Sequence, residues 1–145
     1  MSPFKILIVE DEAILAMNEQ KLLQRMGYQV CGVTDNGRTA VEITRRDAPD
    51  LILMDIRIRG PIDGIQTAER IRRFSNVPVV YTTAYSDEDT LSRLQKTTFS
   101  RHLFKPFQVF DLQESIEASL AESGWNAPGI KTGRRAPVNE QANPN

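Results

Sequence analysis

Five short apolar runs, near residues 4–9, 29–33, 50–55, 77–82 and 102–104, alternate with segments of helical period along this chain. Runs this short, each followed by enough chain for a crossover helix, build a parallel sheet covered by helices on both faces. Right-handed crossovers then predict a five-stranded, doubly wound α/β domain. In the first helix Leu15, Leu22, Leu23 and Met26 share a face, and Gly27 stops it. Asn36-Gly37 opens the second, which carries Ala40, Val41 and Ile43 and ends before Pro49. The third follows Gly64, with Ile65, Ala68 and Ile71 inward. The fourth, from about Ser86 to Lys96, is the least apolar; Leu91 and Leu94 are its main anchors, so it is cheap to shift. Val109, Leu112, Ile116 and Leu120 recur at helical spacing in the fifth.

Four of the five strands deliver a chemically useful residue at the carboxyl end, where open α/β sheets build their sites. The run Leu51-Ile52-Leu53-Met54 ends in Asp55, and the run from Phe4 to Val9 ends in Glu10-Asp11-Glu12. Val79-Val80-Tyr81-Thr82 delivers Thr83, and His102-Leu103-Phe104 delivers Lys105. Glu10, Asp11 and Asp55 crowd carboxylates together, at about 4 kcal/mol for each pair of like charges about 4 Å apart in an effective dielectric near 20. A cation must offset that repulsion, and hard oxygen donors of this kind suit Mg²⁺. Asp11 and Asp55 are the expected direct ligands, the Arg57 main-chain carbonyl a third, with Glu10 acting through water. Glu12 and Asp63 fit the plainer role of helix caps or loop acids. Lys105, ahead of Pro106 and Phe107, is placed to ion-pair with Asp55 and, after reaction, with a phosphoryl oxygen. Strand alternation lets only one of Thr82 and Thr83 serve the site; Thr83 is chosen, because Ala84 after it leaves room.

At 145 residues the chain is sized for one domain with a real core. A net charge of −1 with dispersed acids and bases marks neither a nucleic-acid nor a membrane-surface protein. Cys31 stands alone inside an apolar segment, as a small hydrophobe. The amino terminus lacks the pattern of a signal peptide, and the expected compartment is the cytoplasm. From about residue 123 to 145 the composition turns to Gly, Pro, Asn and Ala, expected to form a flexible tail in which Trp125 either packs on the fifth helix or anchors a partner.

At these residues the chain resembles the response regulator receiver domain, the flavodoxin-like phosphoacceptor of two-component signalling. The similarity runs from about Phe4 to Leu120. It rests on Ile8-Val9-Glu10-Asp11-Glu12, Pro49-Asp50-Leu51-Ile52-Leu53-Met54-Asp55, Asp63-Gly64, Pro78-Val79-Val80-Tyr81-Thr82-Thr83-Ala84 and Lys105-Pro106-Phe107. The resemblance implies a (βα)5 domain over residues 3–122 with strand order 2-1-3-4-5. It further implies that Asp55 takes a phosphoryl group from a histidine kinase or histidine phosphotransfer protein, with Mg²⁺ at Glu10, Asp11 and Asp55. Thr83 would then turn to the new group and bias the fourth helix, fifth strand and fifth helix toward an active face that binds an output protein. The implied assembly is a monomer or a weak, phosphorylation-dependent dimer.

Some positions depart from that pattern. The loop between Asp55 and Asp63-Gly64 is one residue longer than in most members, with Gly60-Pro61 inside it, as in receivers attached to sensory kinases. His102 stands where the family usually has a Tyr or Phe that turns inward; it is either a solvated histidine or a switch with some pH sensitivity. Arg57 and Tyr85, each two residues past a site residue, are expected to impede hydrolysing water and prolong the phosphoryl group. Ser100-Arg101 and the fifth helix lack the charge arrangement of regulators that dimerise there before binding DNA, so no transcription factor is expected. The leading expectation is a stand-alone, non-enzymatic receiver; a phosphate relay or sink is its near variant. A Mg²⁺-dependent phosphohydrolase is disfavoured because Arg57 stands where such enzymes commonly carry a second acid. A nucleotide or flavin fold is weaker still, since no glycine lies between Val9 and Met26 for a phosphate-cradling turn.

Overall fold

The computed structural model describes residues 3–84, 88–94 and 100–123. Strand and helix alternate: β1 (Lys5–Val9), α1 (Ala13–Arg25), β2 (Gln29–Thr34), α2 (Gly37–Asp47), β3 (Leu51–Asp55), α3 (Gly64–Arg72), β4 (Val79–Ala84), α4 (Glu88–Leu94), β5 (Ser100–Lys105) and α5 (Val109–Glu122). The strands are all parallel in the order β2-β1-β3-β4-β5, the flavodoxin-like doubly wound sheet expected from the sequence. Successive crossovers change direction between β1 and β3, which opens a crevice at their carboxyl ends.

Side chains one residue apart on a strand point to opposite faces, so the sheet has two cores. Leu7, Val9, Ile52, Met54, Val79 and Tyr81 pack against α2, α3 and Leu94 of α4. Ile6, Ile8, Leu51, Leu53, Val80 and Leu103 pack against Leu23 of α1 and Leu112, Ile116 and Leu120 of α5. Central β3 is buried at every position, as an apolar run covered on both sides must be. Asn36 caps α2 by accepting hydrogen bonds from the amides of Arg38 and Thr39, and Asp63 caps α3 in a capping box with Gln66.

The structure amends several expectations. Strand hydrogen bonding continues into polar residues, because it is the backbone that pairs: β2 reaches Thr34, β4 reaches Ala84 and β5 begins at Ser100. Thr83 therefore lies within its strand, opposite Phe104. The inward stripe of α1 is Ala16, Glu19 and Leu23, while Leu15, Leu22 and Met26 are half-buried. Val109 is exposed, because it opens α5 nearly a full turn before Leu112, the first residue of that helix buried in the core. Cys31 is half-buried rather than enclosed, and that burial pushes its thiol pKa up. Within the described residues the fourth helix spans Glu88–Leu94; its expected ends at Ser86 and Lys96, the side chain of Leu91, Tyr85 and the segment 124–145 with Trp125 lie outside them. No helix among the described residues is long and apolar enough to cross a membrane.

Candidate functional site

Asp55 is the last residue of β3 and is 5% exposed. Its Oδ2 accepts a hydrogen bond from Lys105 Nζ at 3.0 Å, and its Oδ1 accepts one from the Arg57 amide at 3.3 Å. The register explains the encounter with Lys105: Asp55 pairs with Thr82, Ala84 pairs with Lys105, and both charged side chains follow residues of the α1–α5 face, Leu53 and Leu103. Glu10 arrives from the far side of β3. Its amide continues the ladder to the Thr34 carbonyl at 2.9 Å, and its carboxylate is buried, with Oε2 accepting from the Glu12 amide at 3.1 Å. Lys105 Nζ stands 3.3 Å from Glu10 Oε1 and so ion-pairs with two carboxylates at once.

One carboxylate oxygen from each of Glu10, Asp11 and Asp55 lies within 4.8 Å of the others, with Asp11 half-buried at the outer side. Burial, reinforced by the adjacent Asp55 carboxylate, pushes Glu10 up to about 7, against the pull of the Glu12 amide and the Lys105 ammonium. For Lys105, burial opposes the charge, but Asp55 and Glu10 outweigh it and hold its pKa above the usual lysine value. Among the described residues the Lys105 ammonium ion-pairs with two of these three acids, which leaves the cluster short of positive charge. The oxygen donors are hard and closely spaced, and their chemistry fits a small divalent cation. An open groove of about 420 Å³ runs from Glu10 and Asp11 along α1 to Asp35.

The surrounding loops are tied by polar contacts that join segments distant in sequence. The longer loop after Asp55 folds onto the end of β2, where the Arg59 amide donates to the Asp35 carbonyl at 3.1 Å and its guanidinium lies 3.4 Å from the Asp35 carboxylate. Gly60 turns this loop at φ +98°, a conformation that favours glycine, beside the Asn36 side chain. On the other side, Arg93 of α4 donates to both Asp63 carboxylate oxygens, at 2.8 and 3.1 Å. Burial works against the Asp63 charge, yet this fork and the Gln66 amide keep its pKa below the ordinary value. Helix α4 is thus fastened to the cap of α3.

The expected residues Glu10, Asp11, Asp55 and Lys105 come together. Thr83 is buried nearby, with its hydroxyl donating to the Ala84 carbonyl at 3.3 Å, whereas Thr82 is the residue in register with Asp55. The Arg57 side chain is exposed. His102 is exposed on β5, its ring edge-on to Phe104 with centroids 5.3 Å apart. The peptide between Lys105 and Pro106 is cis. Sequence reasoning missed Glu19, which is 2% exposed with both carboxylate oxygens lacking hydrogen-bond partners among the described residues. Its signal was present: a charged residue four after Leu15 and four before Leu23, on the inward stripe of a helix.

Comparison with known proteins places these features in a family. Residues 6–117 match the family model described as response regulator receiver domain. The chain is 34% identical over 119 residues to the transcriptional regulatory protein PdtaR of Mycobacterium tuberculosis, covering 82% of this chain but 58% of that protein. The chain thus spans little more than half the length of that curated relative. It is 30% identical to sporulation initiation phosphotransferase F of Bacillus subtilis, covering 80% of this chain and 93% of that one. Among solved structures, the signal receiver domain of a modulated diguanylate cyclase from Desulfovibrio desulfuricans superposes with a TM-score of 0.77 at 34% identity, covering 83% of this chain and 96% of that one. A response regulator receiver protein from Sinorhizobium medicae gives 0.73 at 30% identity, covering 82% and 95%.

Proposed function

Because this chain belongs to the response regulator receiver domain family of two-component signalling, we propose that it works as a phosphorylation-controlled switch with Asp55 as phosphoacceptor. An Asp55 carboxylate oxygen attacks the phosphorus of a phosphohistidine on a kinase or phosphotransfer protein. A P–O bond forms as the P–N bond breaks, and the electron pair returns to the imidazole nitrogen of the donor. The observation that carries this reading is the buried Asp55 side chain held 3.0 Å from Lys105 inside a cluster of three acids. Glu10, Asp11 and Asp55, with the Arg57 carbonyl, would hold Mg²⁺, which when bound neutralises charge on the transferring group. Lys105 orients the Asp55 carboxylate, and passes to a phosphoryl oxygen once the acyl phosphate forms.

The switch follows from what the acyl phosphate displaces. Thr83 exchanges its bond to the Ala84 carbonyl for one to the phosphoryl group, and that movement is felt by α4, β5 and α5. His102 on β5 is the aromatic residue whose exposure then changes. A relay role, in which the phosphoryl group passes on to a second histidine, draws support from the similarity to sporulation initiation phosphotransferase F, most of whose length the match covers. Intact mass after incubation with a small phosphodonor and Mg²⁺ tests the proposal. One added phosphoryl group in the wild type, absent from Asp55→Asn and absent without Mg²⁺, is the expected result. Equal labelling of wild type and Asp55→Asn would overturn it.

A further inference from the structure

Glu19 projects from the inward face of α1, one turn after Ala16, a residue that lines the groove beside Glu10 and Asp11. It is 2% exposed, and neither of its oxygens meets a hydrogen-bond donor among the described residues. A carboxyl group in that position is costly, and an apolar residue would fill the stripe between Ala16 and Leu23 without the penalty. The charged groups that act on it stand at the carboxyl ends of three strands: Glu10 after β1, Asp55 on β3 and Lys105 on β5. These are the groups of the phosphoacceptor pocket, and Glu19 touches none of them through a hydrogen bond.

We propose that Glu19 is a fourth carboxyl of this pocket, a positioning residue that contacts neither ion nor phosphoryl group and sets, through charge, how tightly the pocket holds a divalent cation. The inference rests on the metal-site reading above. With the pocket short of positive charge, burial and repulsion from Glu10 and Asp55 outweigh Lys105 and push Glu19 up to about 8, so it carries a proton at neutral pH. A divalent cation at Glu10, Asp11 and Asp55 reverses the local field and favours release of that proton. Linkage makes the effect reciprocal: whatever the cation does for Glu19 ionisation, ionised Glu19 does for the cation. The pocket therefore binds its cation more tightly as pH rises, beyond what the three ligands alone produce.

The test is a calorimetric titration of the full chain with Mg²⁺ alone, without phosphodonor. Wild type, Glu19→Gln and Glu19→Leu are compared at about pH 6 and about pH 9, each in two buffers of different ionisation heat. The expected result is similar affinity of all three proteins at the lower pH and an advantage of about tenfold for the wild type at the higher. Both variants should also release fewer protons on binding than the wild type. Equal affinity and proton release for wild type and Glu19→Gln at both pH values would overturn the inference while leaving the metal site intact. A loss confined to Glu19→Leu would also overturn it, by reducing Glu19 to a packing role. Absence of Mg²⁺ binding in the wild type would remove the metal-site reading itself, and this inference with it.

Discussion

Replacing Gly64 by alanine perturbs the junction between the phosphoacceptor strand and α3. A Cβ there would stand 2.2 Å from the Asp55 carbonyl oxygen, 2.9 Å from Ile56 Cα and 3.0 Å from the Asp55 carbonyl carbon. All three atoms are backbone of buried residues, so none can rotate aside. To restore ordinary contact the start of α3 must retreat by roughly 1 Å, and a close-packed interior has no slack of that size. The retreat stretches the 2.7 Å hydrogen bond from the Gly64 amide to the Ile56 carbonyl. Overpacking of this kind costs about 1–3 kcal/mol and the weakened buried bond about 1 kcal/mol. Alanine returns at most about 1 kcal/mol through helix propensity. The net expectation is a loss of about 1–3 kcal/mol, read as a lowered midpoint in urea unfolding followed by circular dichroism. Gly27→Ala is the control: nothing lies within 4 Å of its Cβ, but φ +96° adds strain of about 1–2 kcal/mol. If Gly64→Ala unfolds within about 0.5 kcal/mol of the wild type, the close approach of α3 to β3 does not constrain the site as described.

Other consequences can be checked with the same preparations. Glu19 holds its proton up to about pH 8 when folded, against an ordinary 4.5, so the native state binds more protons than the unfolded chain between those values. Metal-free stability should therefore be greatest below about pH 4.5 as far as Glu19 is concerned, and fall by as much as about 5 kcal/mol as pH rises through about 8. Glu19→Leu should flatten that decline, and equal pH slopes in urea midpoints would refute the assignment. Arg93→Ala should cost about 0.5–1 kcal/mol, less at high salt, because the Asp63 pair is partly exposed; a salt-independent loss would contradict an ion-pair origin. Lys105→Met removes the ammonium that competes for Asp55 and Glu10, so Mg²⁺ should bind more tightly, on the order of tenfold, while phosphoryl transfer slows. Weaker Mg²⁺ binding in that variant would contradict the charge balance of the pocket.

The fold was legible because buried parallel strands leave continuous apolar runs, and helices beside them leave a period of 3.6. The acids and the lysine of the site were legible for a related reason: they interrupt apolar runs where a strand must end, as Asp55 does after Leu51-Ile52-Leu53-Met54. What escaped was contact between segments distant in sequence. Arg93 and Asp63 are 30 residues apart, and Arg59 meets Asp35 only because two carboxyl-end loops lie side by side in the sheet. Glu19 escaped because charged residues in helices ordinarily face water, so the inward stripe of α1 was drawn through Leu15 and Leu22 instead. Val109 misled in the opposite sense, fitting the period of α5 while standing nearly a turn outside the core.

The most direct measurement is a crystal structure of the full chain grown with Mg²⁺ and beryllium trifluoride, a non-hydrolysable mimic of the phosphoryl group. The expected result is the trifluoride on an Asp55 carboxylate oxygen, Mg²⁺ against Asp11, Asp55 and the Arg57 carbonyl, Lys105 turned to a fluorine, and the Thr83 hydroxyl freed from the Ala84 carbonyl. Density for the trifluoride elsewhere, or an Asp55–Lys105 pair unchanged at saturating Mg²⁺ and trifluoride, would contradict the assignment of Asp55 as phosphoacceptor.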